Sequence, residues 1–379
     1  MKRIVVLCDG TWNSPDMSRD TTHVDDLRSR LINDATQKVK YFKGVGTNDP
    51  VERGGRLVGR GINKLLGGAT GFGLGKKVRE AYTYIAEHYE DGDEIYLFGF
   101  SRGAYTARSV AGMIRKCGIV SDTNPRSIRK AYRLYRKAGP KNAPDEPHIQ
   151  KKRMAMSPDF ATSSKDQSMR SGAQVPIVNI AYLGVWDTVG QLGLPQQLFG
   201  IFAVLYNARY AFHDTQLSSL VKAARHAIAV DERRVFYKPA VWKNLDDLNQ
   251  RSGGTPFAQC WFVGDHAVVG GSASKFKDET ERQNVQKVSN ITLKWVAAGA
   301  SALRFRTGKA PNGLPTDATA DIPRLNQAPN VVYEIAPGLL ERRQGVDKSH
   351  VDTSVRDRVR ARPDYRPESL SRLISGWLR

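Results

Sequence analysis

The feature that most constrains this chain is the pentapeptide Gly99-Phe100-Ser101-Arg102-Gly103, a G-x-S-x-G motif. Residues 95–98 before it form an apolar run that predicts a short buried strand, and residues 104–116 after it predict a helix. Ser101 therefore falls on a sharp strand-to-helix turn, where small residues two positions before and after it relieve crowding. Such a turn exposes the serine hydroxyl and predicts a nucleophile. The alternative is an ordinary strand-loop-helix connection.

The rest of the chain alternates predicted strands and helices. Strands are predicted at residues 4–8, 39–42, 95–98, 177–185 and 257–263, and helices at residues 25–33, 76–89, 104–116 and 217–229. This rhythm indicates an α/β fold that is α/β-hydrolase-like, with a mostly parallel sheet flanked by helices and with inserted cap or lid segments.

Four segments are predicted. Residues 1–121 form the N-terminal part of the hydrolase core with the nucleophile turn, and residues 122–176 form a basic insertion or cap in which 157–172 is expected to be a mobile loop. Residues 177–300 complete the core, and residues 301–379 form a basic C-terminal extension packed on it. Apolar residues at helical spacing between 370 and 378 predict a helix that docks on the core or lies on a membrane.

Polar residues with complementary chemistry follow three predicted strands. Ser101, Asp187 and His266 each stand at a strand's carboxyl end, where active sites of α/β sheets collect. A serine hydroxyl becomes a good nucleophile when an imidazole takes its proton, and a carboxylate fixes the tautomer of that imidazole. The order Ser, Asp, His along the chain is the order of an α/β-hydrolase triad. His213 and His226 are alternative bases, but neither ends a predicted strand, which favours structural hydrogen bonding for both.

Acyl transfer through a serine also needs an oxyanion hole. The amide of Arg102, directly after the nucleophile, is the expected first donor. The loop after the first strand is expected to supply the second donor, from Gly10 or Thr11.

Composition restricts the classes of partner and cofactor. The formal net charge of +20 predicts attraction to anionic surfaces, but no zinc-finger, RRM-like or heptad pattern accompanies it, so nucleic acid is not the expected partner. Three distant cysteines, Cys8, Cys117 and Cys260, indicate neither a disulfide framework nor a metal site, and no cofactor is expected. The apolar run after Met1 is too short for a signal peptide, and no segment has the length of a membrane span.

Short motifs run in order from residue 1 to about residue 275. They are Asp9-Gly10-Thr11-Trp12-Asn13, Gly44-Val45-Gly46-Thr47, Gly92-Asp93-Glu94, the segment Gly99-Phe100-Ser101-Arg102-Gly103-Ala104-Tyr105-Thr106-Ala107-Arg108, Trp186-Asp187-Thr188-Val189-Gly190, His226-Ala227 and Asp231-Glu232-Arg233-Arg234. Together they resemble the catalytic domain of the type VI secretion lipase effectors, long catalogued as a bacterial α/β-hydrolase domain of unknown function. Ser354-Val355-Arg356-Asp357-Arg358 resembles a further segment of that family.

The resemblance implies ester hydrolysis on phospholipids, with Ser101 as nucleophile, Asp187 as acid and His266 as base. It also implies a phospholipid or membrane surface as a partner, an immunity or secretion-apparatus protein as another, and synthesis in the cytoplasm followed by signal-independent export or a peripheral position at a membrane. One departure stands out. The family histidine is usually followed two residues later by an aspartate, where this chain has Val268.

Residues 192–212 follow the predicted acid, where α/β-hydrolases often carry cap elements. Phe199, Phe202 and Leu205 in this segment are candidates to line an acyl groove, or else belong to the core. The sequence thus favours a phospholipase of the A type. The alternatives are a soluble carboxylesterase or thioesterase without a membrane role, and a noncatalytic member of the fold that binds a polyanion or a protein.

Overall fold

A parallel sheet forms the centre of the part of the chain that the structure describes. The computed structural model describes residues 1–10, 21–44, 73–170, 175–189, 216–234, 237–273, 276–326, 346 and 350–377 of the chain. Within these residues six strands form one sheet in the order β2-β1-β3-β4-β5-β6, and all neighbouring strands are parallel. The strands are β1 Arg3–Cys8, β2 Gln37–Phe42, β3 Glu94–Phe100, β4 Ile180–Trp186, β5 Ala224–Ala229 and β6 Phe257–Phe262.

Helices connect and cover the strands. The α-helices are α1 His23–Arg30, α2 Leu74–His88, α3 Arg102–Cys117, α4 Pro125–Tyr135, α5 Pro147–Met156, α6 Ser164–Ser168, α7 Leu245–Ser252, α8 His266–Val269, α9 Glu279–Ala298, α10 Thr353–Ala361 and α11 Ser371–Trp377. Short 3₁₀ turns lie at Pro140–Asn142, Pro311–Gly313, Pro323–Asn326 and Glu368–Leu370. The predicted α/β fold with a mostly parallel sheet is confirmed. No helix of the described ranges is long and apolar enough to cross a membrane.

Both faces of the sheet are buried, because alternate side chains of each strand enter different cores. In β1, Ile4 and Val6 pack in a cluster with residues of α2 and α3, whereas Val5 and Leu7 pack in a second cluster with residues of α1 and α9. This two-sided burial explains why the strands are read as continuous apolar runs in the sequence.

The helix predicted over residues 217–229 is wrong in its second half. Residues Ala224–Ala229 form β5, which is hydrogen-bonded between β4 and β6. The Ala-rich sequence of this segment favours a helix by intrinsic propensity, but pairing and burial between two strands override that preference.

The mobile loop predicted over residues 157–172 is also wrong for its described part, which ends at residue 170. This part contains α6, and the carboxylate of Asp166 is fully buried there. Arg153 donates to Asp166 at 2.9 Å, the amide of Thr162 donates at 2.8 Å, and Arg170 lies 3.4 Å away. The polar composition that suggested an exposed loop belongs to a buried ion-pair network.

Residues 350–377 dock on the β6 edge of the sheet. Val351 bridges to Trp261, and Leu370, Ile374 and Trp377 are buried in the cluster that covers this edge. The apolar stripe of α11 therefore packs on the core. Polar contacts also join the two parts. The Tyr365 hydroxyl lies 2.9 Å from both carboxylate oxygens of the buried Asp231, and the Ser369 hydroxyl donates to the carbonyl of Val230 at 2.9 Å.

Burial of Asp231 makes the stability of the fold depend on pH. Burial raises the pKa of Asp231 to about 7, against the hydrogen bonds from Gly264 and Tyr365 that lower it. A carboxyl whose pKa in the folded protein exceeds the unfolded value of about 4 binds its proton more tightly when folded. The free energy of unfolding therefore falls as the pH rises from about 4 to about 7.

We expect Asp231→Asn to remove this pH dependence, because the asparagine side chain does not titrate. Its amide still places a hydrogen-bonding group at each of the two carboxylate oxygen positions. Chemical denaturation of wild type and variant at several pH values checks this. The stability of the variant relative to wild type should rise from pH 5 to pH 8. Parallel pH dependences of the two proteins would show that Asp231 does not titrate in this range.

Candidate active site

The carboxyl ends of β3, β4 and β6 converge, and two strained residues mark the place. Among the described residues, the non-glycine positions with positive φ are Ser101 (φ 57°) and Asp187 (φ 34°). Side chains rarely adopt this region because it crowds Cβ against the backbone, and strain of this kind concentrates at functional sites. Ser101 directly follows β3 and precedes α3, which is the predicted strand-to-helix turn.

The two glycines of the motif let α3 approach the sheet closely. A Cβ on Gly99 would lie 2.4 Å from the carbonyl oxygen of Gly103, and a Cβ on Gly103 would lie 2.0 Å from the carbonyl oxygen of Cys8. Both obstacles are backbone atoms, which cannot rotate away. Close packing of α3 against the sheet therefore requires glycine at both positions, whether or not Ser101 takes part in any chemistry.

We expect Gly103→Ala to destabilise the fold by about 3 kcal/mol, at the upper end of the range for overpacking, because β1 and α3 must separate. Gly376→Ala is the matched control, since a Cβ at Gly376 meets nothing within 4 Å. Urea denaturation of both variants tests this expectation. Equal stability of the two would show that the turn accommodates a methyl group.

Three polar side chains meet at this point. His266 Nε2 lies 2.8 Å from Ser101 Oγ, and His266 Nδ1 lies 2.6 Å from Asp187 Oδ2. Asp187 is fully buried, and Ser101 and His266 are each 6 % exposed. In this arrangement His266 Nδ1–H donates a hydrogen bond to the Asp187 carboxylate, which leaves Nε2 without a proton and able to accept one from the serine hydroxyl.

The strained Asp187 is held by its neighbours on β5. Its Oδ1 accepts a hydrogen bond from the amide of Ala229 at 3.0 Å, and its own amide donates to the carbonyl of Ala227 at 2.7 Å. On the other side of Asp187, the amide of Thr188 donates to Nε2 of the fully buried His226 at 3.0 Å. His226 thus forms a structural hydrogen bond that supports the Asp187 turn, as the sequence favoured.

The family model for the Tle1-like catalytic domain of type VI secretion phospholipase effectors matches residues 2–299. The chain belongs to this family. The matched region contains the whole described sheet, including Ser101, Asp187 and His266.

The individual proteins and structures that resemble this chain share less than 30% of its sequence. A Saccharomyces cerevisiae protein described as uncharacterized is 28% identical over 242 residues, which are 62% of this chain and 32% of that protein. The chain thus spans about a third of the length of this curated relative. A solved structure of an uncharacterized Pseudomonas aeruginosa protein has a TM-score of 0.45 at 14% identity, over 84% of this chain and 49% of that one. A structure of the Tle1 effector bound to the VgrG spike of the type 6 secretion system has a TM-score of 0.40 at 15% identity, over 73% of this chain and 52% of that one.

Val268, the residue at which the sequence departs from the pattern of the resembled family, is fully buried in the cluster at the β6 edge. It follows His266 on α8, which Asp265 caps by accepting a hydrogen bond from the Val268 amide at 2.9 Å. Valine at this position therefore serves packing in this member of the Tle1-like family.

Aromatic and charged side chains lie around His266. The rings of Phe100 and Tyr237 each lie 4.6 Å from the His266 ring, measured between centroids. The guanidinium of Arg234 lies 3.9 Å from the Tyr237 ring centroid and is paired at 2.6 Å with Glu232, which also accepts the His266 amide at 3.2 Å. Two members of the motif at residues 231–234, Glu232 and Arg234, thus form an ion pair beside the histidine. Phe100 lies next to Ser101 in the sequence, whereas no sequence pattern marked Tyr237.

The two proposed oxyanion donors in the described residues differ. Arg102 is the first residue of α3, in the turn where helical amides lack partners within the helix. The amide of Gly10, by contrast, donates to Oδ1 of Asp9 at 2.7 Å. In this arrangement Gly10 is engaged by a carboxylate and does not offer its N–H to an oxyanion, which corrects the sequence-based expectation for this residue.

Asp9 orders the start of this loop. Its Oδ2 accepts hydrogen bonds from the hydroxyls of Tyr41 at 2.6 Å and Thr22 at 2.8 Å. Burial raises the pKa of Asp9 to about 6, and these hydrogen bonds lower it. Thr11, the other candidate for the second donor, lies outside the described residues, as do Phe199, Phe202, Leu205 and His213.

The hydrogen bond from Thr188 to His226 supports a prediction for catalysis. His226→Leu should leave the buried Thr188 amide without an acceptor and shift Asp187, and a displacement of about 1 Å can cost about a hundredfold in kcat. His226→Gln keeps an acceptor near Nε2 and should retain activity within about tenfold. Steady-state kinetics on a short soluble ester compares them, with KM expected to change little. Equal kcat for both variants would contradict a positioning role.

Proposed function

We propose that this protein is a serine hydrolase that cleaves the carboxylic esters of phospholipids, as an A-type phospholipase with Ser101, His266 and Asp187 as its triad. The observation that carries the proposal is the continuous hydrogen-bond chain from Asp187 through His266 to Ser101, at 2.6 Å and 2.8 Å. Membership of a phospholipase effector family supports the lipid substrate.

The reaction proceeds in two stages. His266 Nε2 takes the proton of Ser101 Oγ as the oxygen attacks the ester carbonyl, and Asp187 stabilises the imidazolium that forms. Collapse of the tetrahedral intermediate breaks the ester bond, and His266 returns the proton to the departing alcohol, here a lysophospholipid. Water, deprotonated by His266, then attacks the acyl-serine and releases the fatty acid.

The amide of Arg102 and the amide of Thr11 are the donors we propose for the oxyanion hole. Each such donor contributes about a hundredfold or more to turnover. The carboxylate of Asp9, which holds the loop entrance through Gly10, Tyr41 and Thr22, keeps this edge of the site fixed. Phe199, Phe202 and Leu205 stay candidates for the acyl groove.

We also propose that the protein acts as a type VI secretion effector, exported without a cleaved signal. Family membership supports this, together with the related Tle1 effector that was solved bound to a VgrG spike. A secretion-apparatus protein of the spike type is therefore the proposed partner, and an immunity protein is a second one that follows from an effector role.

Product analysis tests the proposed reaction. Vesicles of a phospholipid with two different acyl chains are incubated with the protein, and the lipids are identified by mass spectrometry. An A-type phospholipase releases one free fatty acid for each lysophospholipid formed. Diacylglycerol or phosphatidic acid as the product would contradict carboxylic ester cleavage. Activity on a short soluble ester alone would indicate a carboxylesterase, and inactivity on both substrates would favour a binding role.

A further inference from the structure

Helix α4 of the insertion carries a cationic face. Arg126, Arg129, Lys130 and Arg133 follow the spacing i, i+3, i+4 and i+7, which brings them onto one side of the helix. All four are exposed, whereas the residues of the opposite side, Ile128, Ala131 and Leu134, are buried. We call these four residues the α4 basic face.

The α4 basic face is not neutralised by nearby acids. Between Asp122 and Asp145 the sequence contains no acidic residue. Asp122 itself accepts hydrogen bonds from Asn124 and Ser127, and Asp145 is held by Arg115 at 2.7 Å. Among the residues that the structure describes, none within 4 Å forms an ion pair with the α4 basic face.

This arrangement differs from that of two arginines of the insertion with buried side chains, which are paired. Arg153 and Arg170 both contact the buried Asp166. Like charges at i, i+4 destabilise a helix, so four unpaired cations on one face oppose helix formation. A face that served solubility alone would be expected to mix both signs of charge.

The geometry restricts what this face can bind. The apolar side of α4 is packed on the core, and Cys117 Sγ of α3 donates to the carbonyl of Ala131 at 3.2 Å. The helix therefore cannot insert an apolar side into a partner, and recognition depends on charge alone. A surface that presents many phosphates fits this requirement.

The residues around α4 connect the α4 basic face to helices α2 and α3. Tyr132 lies beside Gly75 in the first turn of α2, under the guanidinium of Arg79 at 5.1 Å from its ring. Helix α4 also packs against α3, which begins directly after Ser101. We propose that the α4 basic face binds the anionic surface of a lipid bilayer and holds the protein on its substrate. The choice of a bilayer rests on the proposed function.

Vesicle binding tests this proposal. The variant Arg126→Gln, Arg129→Gln, Lys130→Gln and Arg133→Gln removes the face and keeps good helix formers. The matched control replaces four exposed cations elsewhere with glutamine, namely Lys222, Lys243, Arg251 and Lys309. Each set lowers the formal net charge of +20 by four, so the two variants differ in where charge is lost and not in how much.

Cosedimentation with vesicles of phosphatidylcholine containing about a third phosphatidylglycerol should show binding of the wild type that weakens with salt. The α4 variant should bind about 10²- to 10³-fold more weakly, since each cation near an anionic bilayer contributes about fivefold. The control variant should stay within about tenfold of wild type. Turnover of a short soluble ester should be the same in all three proteins.

Equal losses in the two variants, or none in either, would overturn the proposal, because binding would then follow net charge or another surface. Loss of affinity for duplex DNA with unchanged vesicle binding would instead assign the face to nucleic acid. Failure of the proposed function gives a different result. In that case micellar phospholipid is not hydrolysed, while vesicle binding still depends on the α4 basic face.

Discussion

Ser101→Ala should lower kcat on phospholipid vesicles by about 10⁶-fold, the scale seen when the nucleophile of a serine triad is removed. The expectation follows from the 2.8 Å contact between Ser101 Oγ and His266 Nε2, which leaves no other described hydroxyl hydrogen-bonded to the base. Without that oxygen no acyl-enzyme forms, and water must attack the ester directly. Fatty acid release, followed over hours at high enzyme concentration, measures the residual rate.

A serine in the helix that follows Ser101 is the control. Ser109 of α3 is buried, and its hydroxyl has no hydrogen-bond partner among the residues that the structure describes. Ser109→Ala removes a hydroxyl at a position away from the base, so activity and stability should stay close to those of wild type. A Ser101→Ala protein that is folded and retains a tenth or more of the wild-type rate would exclude Ser101 as the nucleophile.

Asp187→Asn should lower kcat by about 10⁴-fold and leave the fold intact. The side chain of asparagine has one oxygen acceptor and one NH₂ donor. Its oxygen is held at the position of Asp187 Oδ1, because the backbone amide of Ala229 donates a hydrogen bond there, at 3.0 Å in the wild-type protein. The NH₂ group then faces His266 Nδ1, which must become the acceptor, so the proton moves to Nε2. With that tautomer the histidine cannot accept the proton of Ser101.

The matched variant for this test is Asp265→Asn, which changes a carboxylate that caps α8 beside the same histidine. Asparagine is also a good cap, so this variant should lose little activity. Kinetics on a soluble ester and thermal unfolding are measured for both proteins. A fall in kcat of less than tenfold for Asp187→Asn, at unchanged stability, would contradict the assigned role of Asp187.

The elements that could be predicted from the sequence are those whose signal is local. The strand before Ser101 and the helix after it are each specified by their own residues. Gly99 and Gly103 indicate that two backbone segments approach closely at this turn, because a Cβ at either position would collide with backbone atoms. The parallel sheet brings strand ends to one edge, so the meeting of Ser101, Asp187 and His266 could be expected from their places after predicted strands and from the chemistry of the three residue types.

The features that escaped prediction depend on partners distant in the chain. Segment Ala224–Ala229 became a strand because β4 and β6 lie on either side of it. Tyr237 and the Tyr365 contact with Asp231 lie in irregular or C-terminal segments that no periodic pattern marks. The amide of Gly10 is engaged by the side chain of its own neighbour, Asp9, which a loop sequence does not reveal.

Covalent capture of the nucleophile tests the central claim most directly. A long-chain alkyl fluorophosphonate phosphonylates only a serine whose hydroxyl is activated, and peptide mass spectrometry then locates the adduct. We predict one adduct on Ser101 in the wild-type protein. The rate of adduct formation should fall in Asp187→Asn, and fatty acid release should be lost in proportion to the fraction of protein that is labelled. Phospholipid hydrolysis that persists after Ser101 is fully modified, or an adduct on a different residue that abolishes hydrolysis, would contradict the account.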